Sequence, residues 1–396
     1  MKKAVLLSFL TSVYLVAGGY KIPENSTNAV ALGAANVAHN HESADAAFYN
    51  PAKMVFMSDK NHIDANLIYI GLEKVQYKGT TGNESSESED YIIPNLHYVS
   101  SALGDNGARV GLSIVSPGGL SKRWKGTQGS KSAEEFTLKV LEINPSVAFK
   151  INDTLSFATG FRVLYSQGIA KAIPATGVVS QDMKGNSIDF GYNLALAYNP
   201  TKAIEMGITY RSKVDLNLEG DANLQHPLLT TGNYAVNVSV PLPAALNVAV
   251  AYTLASKTTL ELVYERTYWS SYKELDFNYQ NATAEAIFGL PRAKNWKDTN
   301  TYRIGLTQEL QDLTLMAGYV YDNTPVPNGT LGFELPDTDS QAISFGGRYR
   351  VNESTDIGLS VLYSMHESRT VNNSSLTGEF SDGNVLGVSL GLGYKF

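Results

Sequence analysis

The chain has 396 residues, 31 Lys and Arg against 38 Asp and Glu, and a formal net charge of −7. It has no cysteine, which excludes a disulfide scaffold, a thiolate metal site and a cysteine nucleophile. No basic run occurs anywhere, so the cationic footprint that nucleic-acid binding needs is missing.

Residues 1–17 read as a secretory signal peptide. Lys2 and Lys3 supply the charged start, Ala4 to Val16 the apolar run, and Ala17, Gly18 and Gly19 the small residues at which cleavage is expected, after Ala17 or Gly18. The apolar run falls short of the roughly 18 residues a membrane-spanning helix needs. Residues 18–58 are rich in Ala and Asn, with Ser and Asn placed as helix caps. Their apolar faces are too weak for an independent domain, so they are expected to form short helices that plug the inside of something larger.

From His62 to the end, apolar and polar residues alternate with a period of two. In the last segment Leu386, Val388, Leu390, Leu392, Tyr394 and Phe396 fall on one face, and Gly387, Ser389, Gly391, Gly393 and Lys395 on the other. Leu155, Phe157, Phe161, Val163 and Tyr165 oppose Ser156, Ala158, Gly160 and Arg162; Leu260, Leu262 and Tyr264 oppose Glu261, Val263 and Glu265. Short turns near Gly104–Gly107, Asn152-Asp153, Asn199–Thr201, Ala255-Ser256, Gln311-Asp312 and Asn352-Glu353 alternate with long polar loops near 73–90, 119–137, 167–186, 219–241, 273–298, 324–340 and 370–383. This counts out about fourteen antiparallel strands, an even number with all long loops at one end, as in an outer-membrane barrel. The fold class expected is therefore all-β: a 14-stranded transmembrane β-barrel over residues 59–396 with an N-terminal helical plug in its lumen. The charges of Arg162, Glu261 and Glu265 must then face the lumen, because lipid-facing charge near the midplane costs about 2–4 kcal/mol.

Several motifs carry chemistry. Asn50-Pro51-Ala52 ends a short helical stretch, either as a simple helix stop or as a functional turn of the plug. Ser116-Pro117-Gly118-Gly119 ends the third strand; Pro lacks the ladder donor and Gly weakens pairing, so the segment is an ordinary turn or a break in the wall. Gly387-Val-Ser-Leu-Gly391 matches G-x-S-x-G but runs on as a strand, without the helix a nucleophile elbow requires. His39 and His41 would not share a face of a helix, so no metal site and no cofactor are expected. The acidic run Glu84–Asp90 reads as a solvated outer loop.

The residues resemble the FadL-type outer-membrane transporters of long-chain fatty acids and hydrocarbons. Three stretches carry the likeness: Gly19-Tyr20-Lys21 running to Asn50-Pro51-Ala52; Pro241-Leu242-Pro243 with Tyr268-Trp269-Ser270-Ser271-Tyr272; and Gly318-Tyr319, Tyr321-Asp322, Pro325-Val326-Pro327 and Leu335-Pro336-Asp337-Thr338-Asp339. The resemblance implies a monomeric barrel in the Gram-negative outer membrane, closed by an N-terminal hatch. Hydrophobic solutes would bind among the outer loops, then in the lumen, and leave sideways at a kinked third strand. It places Tyr20, Lys21 and Gln167 in the lumen site, Asn50, Pro51 and Ala52 in the hatch motif, and Pro117, Gly118 and Gly119 at the lateral opening. Phe288 and Trp296 are candidate outer-loop binders, and Pro325, Pro327, Pro336, Asp337 and Asp339 form the signature. The terminal Phe396 resembles the signal read by the outer-membrane assembly machinery. Membrane lipid and lipopolysaccharide are the expected surroundings. Two departures stand out: Ser340 replaces a frequent Arg after the signature, and Tyr165-Ser-Gln167 lacks the expected cation, Lys171 being the next.

The function expected is passive uptake of hydrophobic molecules, long-chain fatty acids first and monoaromatic hydrocarbons as the alternative. A general diffusion porin has no use for some 40 residues filling its bore. An outer-membrane phospholipase lacks a Ser–His arrangement, and an adhesin has little to work with in such polar loops. No enzyme activity is expected.

Overall fold

The computed structural model describes residues 18–396 except 81, 105 and 176. The expected signal peptide over 1–17, and Asp105 within the first short turn, lie outside the described residues.

Fourteen antiparallel strands close into a barrel. They are β1 (His62–Leu72), β2 (Glu89–Val99), β3 (Arg109–Val115 and Gly119–Arg123), β4 (Glu135–Lys150), β5 (Leu155–Ala175), β6 (Val179–Tyr198) and β7 (Ile204–Arg211 and Val214–His226). They continue with β8 (Leu229–Leu242 and Ala245–Thr253), β9 (Thr258–Thr267), β10 (Thr299–Glu309), β11 (Leu313–Asp322), β12 (Ser340–Arg350), β13 (Thr355–His366) and β14 (Val385–Lys395). Closure is made by β1 on β14, from His62 opposite Lys395 to Leu72 opposite Val385, which removes any free sheet edge.

The alternation sorts as the sequence predicts. Phe161 is 52% exposed while Arg162 beside it is 2% exposed. Leu260, Leu262, Leu390, Leu392 and Tyr394 form part of an exposed apolar band, and Glu261, Glu265 and Ser389 face inward. Several inward charges are paired: Arg162 Nε donates to Glu142 at 3.0 Å, and Lys21 Nζ lies 2.6 Å from Glu265. Phe396 stays exposed and stacks on Tyr394.

The outer loops differ from expectation. The segments 167–186 and 219–241 are not loops but continuous hairpins, β5–β6 and β7–β8, whose ladders run to within a few residues of the tips. Above the membrane both faces of a strand are wet, so the hydrophobic alternation fades while backbone pairing continues. Strands Val75–Gly79, Gly82–Ser85, Arg369–Asn372 and Thr377–Asp382 add a separate four-stranded sheet. Tyr77, Trp124, Phe333 and Phe380 pack edge-on and tilted beside it, with ring centroids 4.8–6.2 Å apart.

Residues 18–57 are enclosed by strands. Helix α1 (Thr27–Leu32) is capped by Ser26, whose Oγ accepts from the Ala29 N–H at 3.0 Å, and ends on Gly33 with φ +57°. Inward Ser and Asn side chains hold it: Ser344 and Ser360 donate to the Ala31 and Thr27 carbonyls, and Asn66 accepts from the Thr27 N–H. Gly305 and Gly318 face it from β10 and β11; a Cβ on Gly305 would meet Ala35 at 2.9 Å. Helix α2 (Ala46–Tyr49) is the short helical stretch that ends at Asn50, and a 3-10 turn (Pro51–Phe56) follows.

Candidate functional site

The third strand is interrupted between Val115 and Gly119. Its first half pairs with β2 through Leu96–Val99 opposite Gly111–Ile114. Its second half pairs with β4, from Gly119 opposite Lys139 to Arg123 opposite Glu135. Among the described residues no ladder register joins that second half to β2. Side chains bridge the two strands, Arg123 pairing with Glu89 and Ser121 Oγ donating to Glu89 at 2.7 Å, and one backbone bond, from the Glu87 N–H just before β2 to the Arg123 carbonyl at 2.9 Å, closes the outer end.

The backbone groups freed by the break are taken up by the N-terminal segment. Ile22 N–H donates to the Pro117 carbonyl at 2.9 Å, and Gly119 N–H donates to the Tyr20 carbonyl at 2.9 Å. Lys21 and Gly118 thus form an isolated antiparallel bridge. A Cβ on Gly118 would lie 2.9 Å from Leu242 Cδ1 and 3.1 Å from the Tyr20 carbonyl oxygen, so a glycine suits this close approach.

Tyr20 is 2% exposed and sits in an aromatic cage. Its ring centroid is 4.7 Å from Trp269, 5.6 Å from Trp296 and 6.2 Å from Tyr272, and its hydroxyl donates to the Pro241 carbonyl at 2.5 Å. Burial drives the Tyr20 hydroxyl pKa well above its ordinary value, so it stays neutral. Beside Tyr20 lies an apolar cavity of about 70 Å³. Leu120, Phe136, Leu138, Leu218, Val240, Leu275, Phe277, Trp296, Val326 and Leu335 line it. Two cations reach it. Lys294 is paired with Glu334, and Lys184 is largely exposed beside Asp182 at 3.8 Å.

The family signature meets the N-terminus here. Asp337 accepts from the Gly19 N–H at 3.2 Å and from the Thr324 hydroxyl; burial raises its carboxyl to about 7, against those two hydrogen bonds. Asp339 accepts from the Thr324 N–H at 2.8 Å. Pro325 and Pro336 are buried, the Pro325 carbonyl accepts from Lys297, and the Pro327 carbonyl accepts from Thr330. Glu24, also buried, is raised to about 7 by loss of solvent, with Arg303 opposing.

The other expected residues fall outside this cluster. Asn50 donates to the Val37 carbonyl at 2.8 Å and the Leu196 carbonyl at 3.2 Å and accepts from Ala52 N–H; Pro51 begins the 3-10 turn. The motif therefore ties the segment's far end to β6. Gln167 does not reach the cavity: it shares the face of Phe161 and Val163, and its amide donates to Tyr165 Oη at 2.9 Å, whereas Gly168 lines the cavity. Phe288 packs against Tyr279 and His226, one layer further out. Leu120, Leu138, Leu218 and Val240 carry no sequence signal, because each is an ordinary apolar residue in its own strand; only strand register brings them together.

A closed 14-stranded barrel with a lipid-facing apolar band and an enclosed N-terminal segment defines an integral outer-membrane β-barrel protein. The profile of the family described as "Outer membrane protein transport protein (OMPP1/FadL/TodX)" matches residues 8–396, and the chain belongs to that family. It is 24% identical to the long-chain fatty acid transport protein of Salmonella typhi, over 90% of this chain and 89% of that one. Among solved structures it is similar to a Pseudomonas aeruginosa FadL homologue, with TM-score 0.84 and 18% identity over 95% and 99% of the two chains. It also resembles the Ralstonia pickettii toluene transporter TbuX, with TM-score 0.72 and 18% identity over 94% and 98%.

Proposed function

We propose that this protein is a passive, monomeric outer-membrane channel for hydrophobic small molecules, with residues 18–58 acting as its hatch. The observation that carries the reading is the pairing of residues 20–22 with the strand break at 117–119, directly beneath an apolar cavity. A solute entering the cavity gains roughly 25 cal/mol for each Å² of apolar surface removed from water. By pressing on Tyr20 and its cage it displaces the N-terminal strand, and the wall between β2 and the outer half of β3 loses its backbone seal. The solute then leaves into the membrane without crossing the polar lumen beneath.

Long-chain fatty acids are the first substrates to test, in line with the transport relatives. Monoaromatic hydrocarbons are the second, favoured by one observation: the buried cation at the cavity, Lys294, is already committed to Glu334, which leaves a carboxylate head group only the exposed Lys184. The test is uptake of labelled oleate and labelled toluene by cells lacking their own fatty-acid channel. Oleate uptake lost on deleting residues 18–58 supports a hatch-gated fatty-acid channel. Toluene uptake alone changes the substrate and keeps the mechanism. Steady ionic conductance in planar bilayers with no uptake of either would overturn the reading in favour of a porin.

A further inference from the structure

On a helix, His39 and His41 would not share a face. The segment between Gly33 and Ala46 is not helical. In an extended chain, residues two apart project to the same side, and both imidazoles meet the barrel wall at the end carrying the short turns, which faces the periplasm. His41 Nδ1 lies 2.9 Å from Glu309 Oε1 at the end of β10, and its Nε2 lies 3.1 Å from Thr314 Oγ1. His39 Nδ1 lies 2.6 Å from Glu205 Oε1 at the start of β7. One ligand atom from each of His39, His41 and Glu309 falls within 4.8 Å of the others.

Two features separate this cluster from a set of polar contacts. First, His39 Nε2 is buried and has no hydrogen-bond partner among the described residues. Second, Glu205 accepts at Nδ1, and this carboxylate–imidazole pair is the outer arrangement that orients a metal-bound histidine, leaving the Nε2 lone pair free. The backbone is also fixed: Glu261 accepts from the Val37, Ala38 and His39 N–H groups at 2.7, 2.7 and 3.1 Å. A cavity of about 310 Å³ lined by His41, Glu309 and Thr314 opens beside the cluster and gives an entry path. The local charges are the carboxylates of Glu205, Glu261 and Glu309 against the ammonium of Lys53, itself paired with Glu205, and Lys257 at the cavity rim.

We propose that His39, His41 and Glu309 form a binding site for a borderline divalent transition cation of the Zn²⁺ type, which latches the N-terminal segment to the barrel wall. Two imidazoles and a carboxylate suit Zn²⁺, and they suit Ca²⁺ and Mg²⁺ poorly, because those ions take all-oxygen shells. Ligand atoms around a four-coordinate Zn²⁺ sit about 3.3 Å apart given bonds of about 2.0–2.1 Å. Small rotations of His41 and Glu309, both partly exposed, close the present spacing. The site stands on its own geometry and does not depend on the transport reading.

The test uses the full-length protein in detergent, stripped with chelator and titrated with Zn²⁺ by calorimetry, with bound metal counted after dialysis. One Zn²⁺ per barrel is expected, undisplaced by millimolar Ca²⁺ or Mg²⁺. His39→Ala, His41→Ala and Glu309→Gln should each weaken binding at least tenfold, whereas Glu309→His, which replaces one ligand with another, should retain it. Heat-modifiable gel mobility reports whether each variant is a folded barrel. Zn²⁺ should also slow amide exchange over residues 37–45 in the wild type and not in His41→Ala. Equal Zn²⁺ binding by the wild type and a His39→Ala/His41→Ala double variant, or displacement by Ca²⁺, would overturn the proposal.

Discussion

Tyr20→Ala is the sharpest probe of the coupling between the N-terminal strand and the break in β3. The residue is 2% exposed, contacts three aromatic rings and donates to the Pro241 carbonyl. Removing a buried aromatic side chain of this kind costs about 3–5 kcal/mol. The barrel ladders are untouched, so the cost falls on the docking of residues 19–22. That docking holds the Ile22 and Gly119 amide hydrogens in place. With each ~1.4 kcal/mol worth a factor of ten, exchange of both amides should accelerate about a hundredfold or more. Hydrogen exchange read by mass spectrometry on peptides covering 18–25 and 115–121 checks this. Tyr20→Phe keeps the ring and strands only the Pro241 carbonyl, so an effect of about 1–3 kcal/mol is expected. If Tyr20→Ala loosens 18–25 while 115–121 exchanges as before, the N-terminus does not seal the strand break and the reasoning fails.

Gly118→Ala would press a methyl against Leu242 and the Tyr20 carbonyl, an overpacking cost of about 1–3 kcal/mol; looser docking of residues 20–22, read as faster amide exchange over 18–25 at unchanged gel mobility, is the expected result. Glu24 is buried, with a carboxyl raised to about 7. Docking of the N-terminal segment therefore takes up a proton, and its stability, full below pH ~4.5, falls as pH rises to about 7, by on the order of 3 kcal/mol. Amide exchange around residues 22–26 should speed up across that window, and Glu24→Gln should flatten the profile; a flat wild-type profile would contradict the assignment. Arg348 pairs with Asp64 at 2.7 and 2.8 Å and donates to Asn28 Oδ1 at 2.6 Å, joining β12, β1 and the N-terminal segment. Arg348→Met leaves the buried Asp64 uncompensated, and denaturant unfolding should show a loss of about 3–5 kcal/mol.

Legibility in the sequence follows the solvent on each side of the strand. Where one face meets lipid and the other the lumen, every residue declares its side: Phe161 out, Arg162 in; Leu260 out, Glu261 in. Strand number and orientation are therefore readable from the chain. Where both faces are wet, as in the β5–β6 and β7–β8 tips, the period vanishes although the ladder persists, so these hairpins read as loops. A period of two is also unforgiving of a one-residue error. Gln167 and Gly168 are neighbours, yet one lies beside Tyr165 on the outer face and the other lines the cavity.

The cavity is harder still to read, because it is a property of register. Leu138 on β4 and Leu218 on β7 meet only because each ladder places them at one height, and nothing in either strand marks that height. The N-terminal segment inverts the usual signals. Its Ala, Ser and Asn residues look like poor core material, but the lumen wall is itself built of Ser, Asn and Gly, such as Ser344, Asn66 and Gly318, and small polar faces fit one another there. The same surroundings hold 33–45 in a non-helical path that no local propensity predicts, and this path brings His39 and His41 against Glu205 and Glu309. What links the two ends of the lumen is that both join the N-terminal segment to the wall. At one end the contacts are backbone hydrogen bonds to a strand break; at the other they are imidazole–carboxylate contacts to strand ends. A segment held at both ends and enclosed by small side chains between them can release one end without leaving the barrel, which is what the proposed hatch, opening the wall rather than the bore, would require.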